Sequence, residues 1–295
     1  MSAAGGAAGG AAQRGRAQRY GAEPSAATRR VILIIVGVVF LVPIAALLEF
    51  TFRIGQPAAN GAQAYGFQHY LDIVSPANEQ AYAPLYQGVL NSLTICAITV
   101  FIVLVLLLPT MILVELKFPK YRRVLEFVCI IPITIPSIVL VVGFIPIYSV
   151  VAQVFGSSPW TLAFAIGVIV LPYAYRPIAA NLAGVDVTTL SEAGRSLGAG
   201  WVSVIWSVIL PNLRRGILSA VFITIAVVLG EYTIASFLSQ NTFQTALVLI
   251  QQTDPYVGAI SAVFALLFAF VLLLVIGRLG TVRRSRPPQR KGQVS

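Results

Sequence analysis

Apolar residues in this chain come in runs long enough to cross a bilayer, separated by short polar and basic stretches. The first run covers residues 31–52, close to the ~20 residues a helix needs to span a hydrocarbon core; Glu49 lies near its far end. Residues 88–114 carry no charge and predict a second span. No charged residue occurs from Phe127 to Tyr175. That stretch is too long for one crossing, and the turn formers in FGSSPW, residues 155–160, divide it. Spans three and four are therefore expected at 127–153 and 160–182. Pro132, Pro136 and Pro146 each remove a backbone donor from span three, which predicts a kinked helix packed inside the bundle. A fifth span is expected at 216–238 and a sixth at 257–277. The fold class is an all-α integral membrane protein with six transmembrane helices.

The segments between these runs are read by composition. Residues 1–30 are rich in Ala, Gly and Arg, too poor in apolar surface to fold alone, and predict a disordered basic tail. The run that follows is too long for the h-region of a signal peptide. Residues 53–87 mix Tyr65, Phe67, Tyr70, Tyr82 and Tyr86 with Asn, Gln and Pro, which suits a loop and a short helix at the membrane surface. Residues 239–256 read as a polar loop, and 281–295 as a second basic tail.

Composition agrees with this class: 58% of residues are hydrophobic, 10% are charged and mean hydropathy is +0.87, whereas soluble domains are about a quarter charged. The formal charge of +10 is explained by topology and not by a nucleic-acid partner. Five basic residues lie in the amino-terminal tail, four between spans two and three, four from Arg176 to Arg215, and six from Arg278 onward, leaving Arg53 alone on the other side. By the positive-inside rule both termini are cytoplasmic. Cys96 and Cys129 sit in apolar runs without CxxC spacing, and His69, the single histidine, has no Cys or His near it, so neither a disulfide framework nor a metal site is supported. No Ser/His/Asp, Cys/His or paired-carboxylate arrangement suggests a catalytic residue.

One stretch stands apart, TLSEAGRSLGAGWVSVIWSVILP at residues 189–211, only moderately apolar and placed in the cytoplasm by the charge count. Thr189 and Glu192 have capping-box spacing for a helix start. Gly198 suits the left-handed residue that ends a helix. Trp201, Val204, Ile205 and Val208 recur at helical spacing and predict a second, amphipathic helix that Pro211 stops or kinks.

This stretch resembles the EAA loop of binding-protein-dependent ABC importer permeases, a Glu-Ala-Ala trio followed by a glycine and a distal Ile-x-Leu-Pro. Glu192, Ala193, Gly198, Leu210 and Pro211 match; Gly194 stands where the family usually has alanine, and Val208 where it has isoleucine. Asn91-Ser92-Leu93 at the start of span two also looks like the family, and the likeness covers about residues 31–280. It implies a cytoplasmic coupling helix between helices 4 and 5, contacting an ABC ATPase dimer through Glu192, Ala193, Gly194, Gly198, Leu210 and Pro211. It further implies a second permease subunit, homo- or heterodimeric, an extracytoplasmic substrate-binding protein, and the bacterial plasma membrane as location. The chain has no GxxxxGK[ST] phosphate loop, so ATP and its magnesium are expected on the partner ATPase, with no cofactor in this chain and no enzymatic activity of its own.

Glu231 is the one charge deep in an expected span, and with Tyr232 beside it forms a candidate pathway pair. A contact with substrate and a pairing with a neighbouring helix both remain open for it. The segment GEYTIASFLS resembles permeases of the spermidine and putrescine, iron(III), sulfate and aminophosphonate branches. An acidic pathway residue favours polyamine cargo. The reading from another class is a secondary transporter or channel, which would need coupling charges on broken helices in paired halves.

Overall fold

Backbone amides and carbonyls in hydrocarbon must pair within their own segment, so apolar runs of this length fold as helices. The computed structural model describes residues 25–55 and 61–280. Six of the described helical stretches are long and apolar enough to cross a membrane: Ala26–Thr51, Pro76–Lys117, Ser137–Phe155, Pro159–Ala183, Trp201–Leu229 and Pro255–Arg278. The remainder of both predicted tails, residues 1–24 and 281–295, lies outside the described residues.

The described residues divide into two units, the first ending at Phe50 and the second beginning at Thr51. Helix α1 (Ala26–Thr51), all but its last residue in the first unit, starts five residues before the predicted span, so Ala26–Arg30 belong to a helix and not to a tail. Its side chains are exposed along most of its length, Leu33 by 70% and Phe40 by 69%, as suits a helix whose solvent is lipid.

The second unit opens with a two-stranded antiparallel ribbon, β1 (Arg53–Ile54) and β2 (Ala64–Tyr65), and the short helix α2 (Gln68–Val74). His69 stacks on Tyr256 with ring centroids 4.2 Å apart, and its Nε2 lies 3.1 Å from the Arg53 carbonyl, a structural contact. Span two begins earlier than expected, with α3 (Glu79–Ile102) continuing through a wide π-type turn, Val103–Leu107, into α4 (Leu108–Lys117). A second such turn, Ile205–Ile209, joins α9 (Trp201–Val204) to α10 (Leu210–Leu229). Both turns sit just before a proline, Pro109 and Pro211. The wide turn gives the ring room where it would otherwise meet the carbonyl four residues back, and so the helix passes through. Pro211 therefore neither ends nor breaks the amphipathic helix, which runs directly into span five.

The predicted third span is two helices, α5 (Arg122–Thr134) and α6 (Ser137–Phe155), separated at Ile135 and Pro136. Ile135 is extended, the conformation a following proline imposes, so Pro136 breaks the helix outright while Pro132 and Pro146 lie inside helices. Gly156 ends α6 with φ 84°, and α7 (Leu162–Ala183) follows the predicted turn. The core forms where α7 and α10 pack together and against span two, with Ile95, Val103, Ile166, Val170, Ile178 and Leu213 almost wholly buried. Cys96 and Cys129 are buried free thiols of this core. Span five ends at Leu229, short of the predicted 238. The last part of the predicted span is a separate short helix, α11 (Thr233–Phe237), and the expected polar loop at 239–256 holds α12 (Phe243–Thr253) before α13 (Pro255–Gly280).

Candidate functional site

Two regions collect the residues that the sequence singles out. The first is the connection between spans four and five. Helix α8 (Val187–Ser196) is capped by Asp186, whose side chain accepts from the Thr189 amide at 3.0 Å and from the Thr189 hydroxyl at 2.7 Å. The predicted Thr189–Glu192 capping box is thus displaced by three residues; Asp186 begins the helix one turn earlier because a carboxylate is a strong acceptor for free first-turn amides. Those two bonds hold the Asp186 carboxyl below the usual aspartate range.

Gly198 ends α8 as expected. Its φ is +86°, its amide donates to Arg195 O at 2.9 Å, and the Ala199 amide donates to Gly194 O at 3.1 Å, the paired bonds of a Schellman turn. The turn leaves Leu197 at its tip, 90% exposed. Behind it the loop is anchored: Val187 and Ser191 are buried on one face of α8, and Val204 and Ile209 on the segment that follows. Trp201 lies between two cations, with Lys117 Nζ 4.7 Å and Arg195 Cζ 4.6 Å from its ring centroid. This ties the end of span two to the loop. The departure at Gly194 has a steric reason, because a Cβ there would lie 3.2 Å from Val204 Cγ2. Glu192, Ala193 and Pro211 are exposed, and Gly194 and Leu210 are half-buried. The structure therefore gathers the predicted residues around one loop. The sequence reading missed Leu197, Trp201's cation partners, and the exposed Val202 and Trp206. Their signal was apolar and aromatic side chains within a polar stretch.

The second region lies at the other end of span five. Glu231 is not inside a continuous span: the helix stops at Gly230, and Glu231 Oε1 accepts from the Ile234 amide at 2.7 Å. The carboxylate is half-buried and serves the first turn of α11, so the local backbone uses it. The adjacent Tyr232, 42% exposed, lines an open recess of about 560 Å³ together with Ser236, Ser239, Gln240, Thr245 and Gln252. The predicted pathway pair is separated, one member capping a helix and the other facing a cavity.

The wall of this recess is clasped to span two. Asn91 Nδ2 donates to Asn241 O at 2.8 Å, Asn241 Nδ2 to Pro84 O at 3.0 Å, and the Phe243 amide to Ser92 Oγ at 2.8 Å. Gly88 permits the approach, since a Cβ there would fall 2.6 Å from Thr242 O. The Asn91-Ser92 pair noted in the sequence thus supplies side chains for backbone groups about 150 residues away. Thr242 and Thr245 exchange bonds as a capping box for α12.

Residues 112–282 match the family described as binding-protein-dependent transport system inner membrane component. The chain is 36% identical over 80 residues to sulfate permease 2, chloroplastic, of Chlamydomonas reinhardtii, covering 27% of this chain and 21% of that protein. It is 32% identical over 115 residues to the phosphate transport system permease protein PstA of Pasteurella multocida, 39% of this chain and 40% of that protein. With the spermidine/putrescine transport system permease protein PotB of Haemophilus influenzae it shares 26% identity over 216 residues, 65% of this chain and 75% of that protein. The chain thus spans less than half the length of the first two relatives.

Proposed function

Since the chain belongs to the family of binding-protein-dependent transport system inner membrane components, the permease subunits of ABC importers, we propose that this multi-pass plasma-membrane protein couples ATP hydrolysis on partner subunits to the inward passage of a small solute. The loop from Asp186 to Pro211 is the coupling element. It docks on an ABC ATPase dimer, which holds the nucleotide and its magnesium, while a second permease subunit completes the pathway and an extracytoplasmic binding protein delivers the cargo. The basic clusters at Lys117–Arg123 and Arg195–Arg215 support a cytoplasmic position for this loop.

The observation that carries the reading is the Gly198 turn, which projects Leu197 from a loop otherwise fixed to spans two and five. An apolar side chain so exposed on an anchored loop suits insertion into a groove of a partner. Gly198→Trp forces a bulky side chain into a left-handed position and is expected to abolish both co-purification of the ATPase and ATP-dependent uptake. Retention of both would overturn the coupling assignment.

The cargo is a small ionic solute. PotB, named for spermidine and putrescine, supports a polyamine, the cargo that an acidic residue at position 231 also favours; the sulfate and phosphate relatives support an oxyanion.

A further inference from the structure

The recess beside span five separates these two classes of cargo. Its polar side chains are Tyr232, Ser236, Ser239, Gln240 and Gln252, together with the structurally engaged Asn241 and Thr245, and among the described residues no charged side chain lines it. The carboxylates nearest in sequence make local bonds, Glu231 through Oε1 and Asp254 through both oxygens. Glu231 accepts from the Ile234 amide, and Asp254 accepts from the Tyr82 hydroxyl and from the Tyr256 and Val257 amides. Hydroxyl and primary amide groups offer donors to acceptor oxygens. A polyamine, with ammonium groups that only donate, needs carboxylates or aromatic faces to replace its hydration, and the recess supplies one tyrosine ring.

Ser239 adds a second observation. Helix α11 ends in the same kind of turn as α8, with the Ser239 amide on Ser236 O at 3.1 Å and the Gln240 amide on Ala235 O at 2.8 Å. Here the left-handed position is held by serine, φ 52°, the one non-glycine residue with positive φ among the described residues. A side chain kept where glycine is easier, on the wall of a cavity, is strain that points to use of its hydroxyl.

We infer that this recess receives the cargo as an inorganic oxyanion, held by neutral hydrogen-bond donors and not by paired charge. The inference rests on the permease reading. Neutral dipoles suit a passage site because they replace hydration without trapping an ion.

The test uses right-side-out membrane vesicles carrying the complete importer with its binding protein, ATP inside, and radiolabelled phosphate, sulfate or spermidine outside. Phosphate or sulfate uptake is expected, and Gln240→Glu or Gln252→Glu should lower it at least about tenfold while the ATPase still co-purifies, because a like charge then faces the anion. Should either carboxylate variant fail to assemble, Gln240→Ser removes the amide without adding charge and is expected to raise KM a few-fold. Spermidine uptake, oxyanion uptake unchanged in these variants, or uptake of none of the three by an importer that still hydrolyses ATP overturns the oxyanion assignment alone. Failure of the wild-type chain to associate with any ATPase overturns the permease reading and this inference together.

Discussion

The turns at Gly198 and Ser239 share one backbone design and differ in what their surroundings ask of it. Each ends a helix through a left-handed residue and two amide-to-carbonyl bonds. At Gly198 a Cβ would meet nothing within 4 Å, so the glycine is there for its backbone and the turn serves to present its neighbour Leu197. At Ser239 the side chain itself stands on a cavity wall. On the proposed reading, the glycine turn exposes a docking point and the serine turn lines a passage.

Substitutions at these two positions should break that symmetry in opposite ways. The largest effect is expected for Gly198→Val, since a non-glycine residue in the left-handed region costs about 1–2 kcal/mol and a β-branched one more; thermal unfolding in detergent should show a lowered midpoint, and ATPase co-purification should be lost. Next comes Gly88→Ala, where the new methyl must displace the Thr242 carbonyl. Overpacking of about 1–3 kcal/mol is expected, with a fall in uptake because the recess wall shifts, and with the ATPase still bound. Ser239→Gly should leave stability unchanged or raise it by up to about 1 kcal/mol, as relief of the left-handed strain is partly offset by a freer unfolded chain. Uptake should nevertheless fall. Gain of stability with loss of transport at Ser239, against loss of both at Gly198, is the signature that separates lining from presenting.

The smallest effect concerns the start of α8. Asp186 has its pKa lowered by its bonds to Thr189, so its contribution is complete above the unfolded value of about 3.9 and is lost as pH falls through the lower folded value. Protection of the first-turn amides of α8 against hydrogen exchange, relative to Asp186→Asn, should therefore shrink on acidification below about pH 4.

Much of this was legible in the sequence, because lipid imposes one rule on every apolar run and the crossings follow from length. Gly198 was legible for a similar reason, since glycine is the residue that adopts the left-handed conformation most easily. The errors arose where local backbone conformation, and not the apolar pattern, decided the outcome. Glu231 looked embedded in a span because Tyr232–Leu238 continue the apolar pattern, yet the helix stops at Gly230 and the carboxylate turns to the Ile234 amide. Pro136 and Pro211 look alike in sequence; the first breaks a helix and the second is absorbed by a wide turn. The clasp between Asn91, Ser92 and residues 241–243 joins segments about 150 positions apart, which no local pattern encodes.

The division of labour between the two turns is tested most directly by placing a photo-cross-linking amino acid at position 197 and, separately, at position 239 of the assembled importer. An adduct between this chain and the ATPase is expected from position 197 and none from position 239. An ATPase adduct from position 239, or its absence from position 197 in an intact complex, would contradict that division of labour.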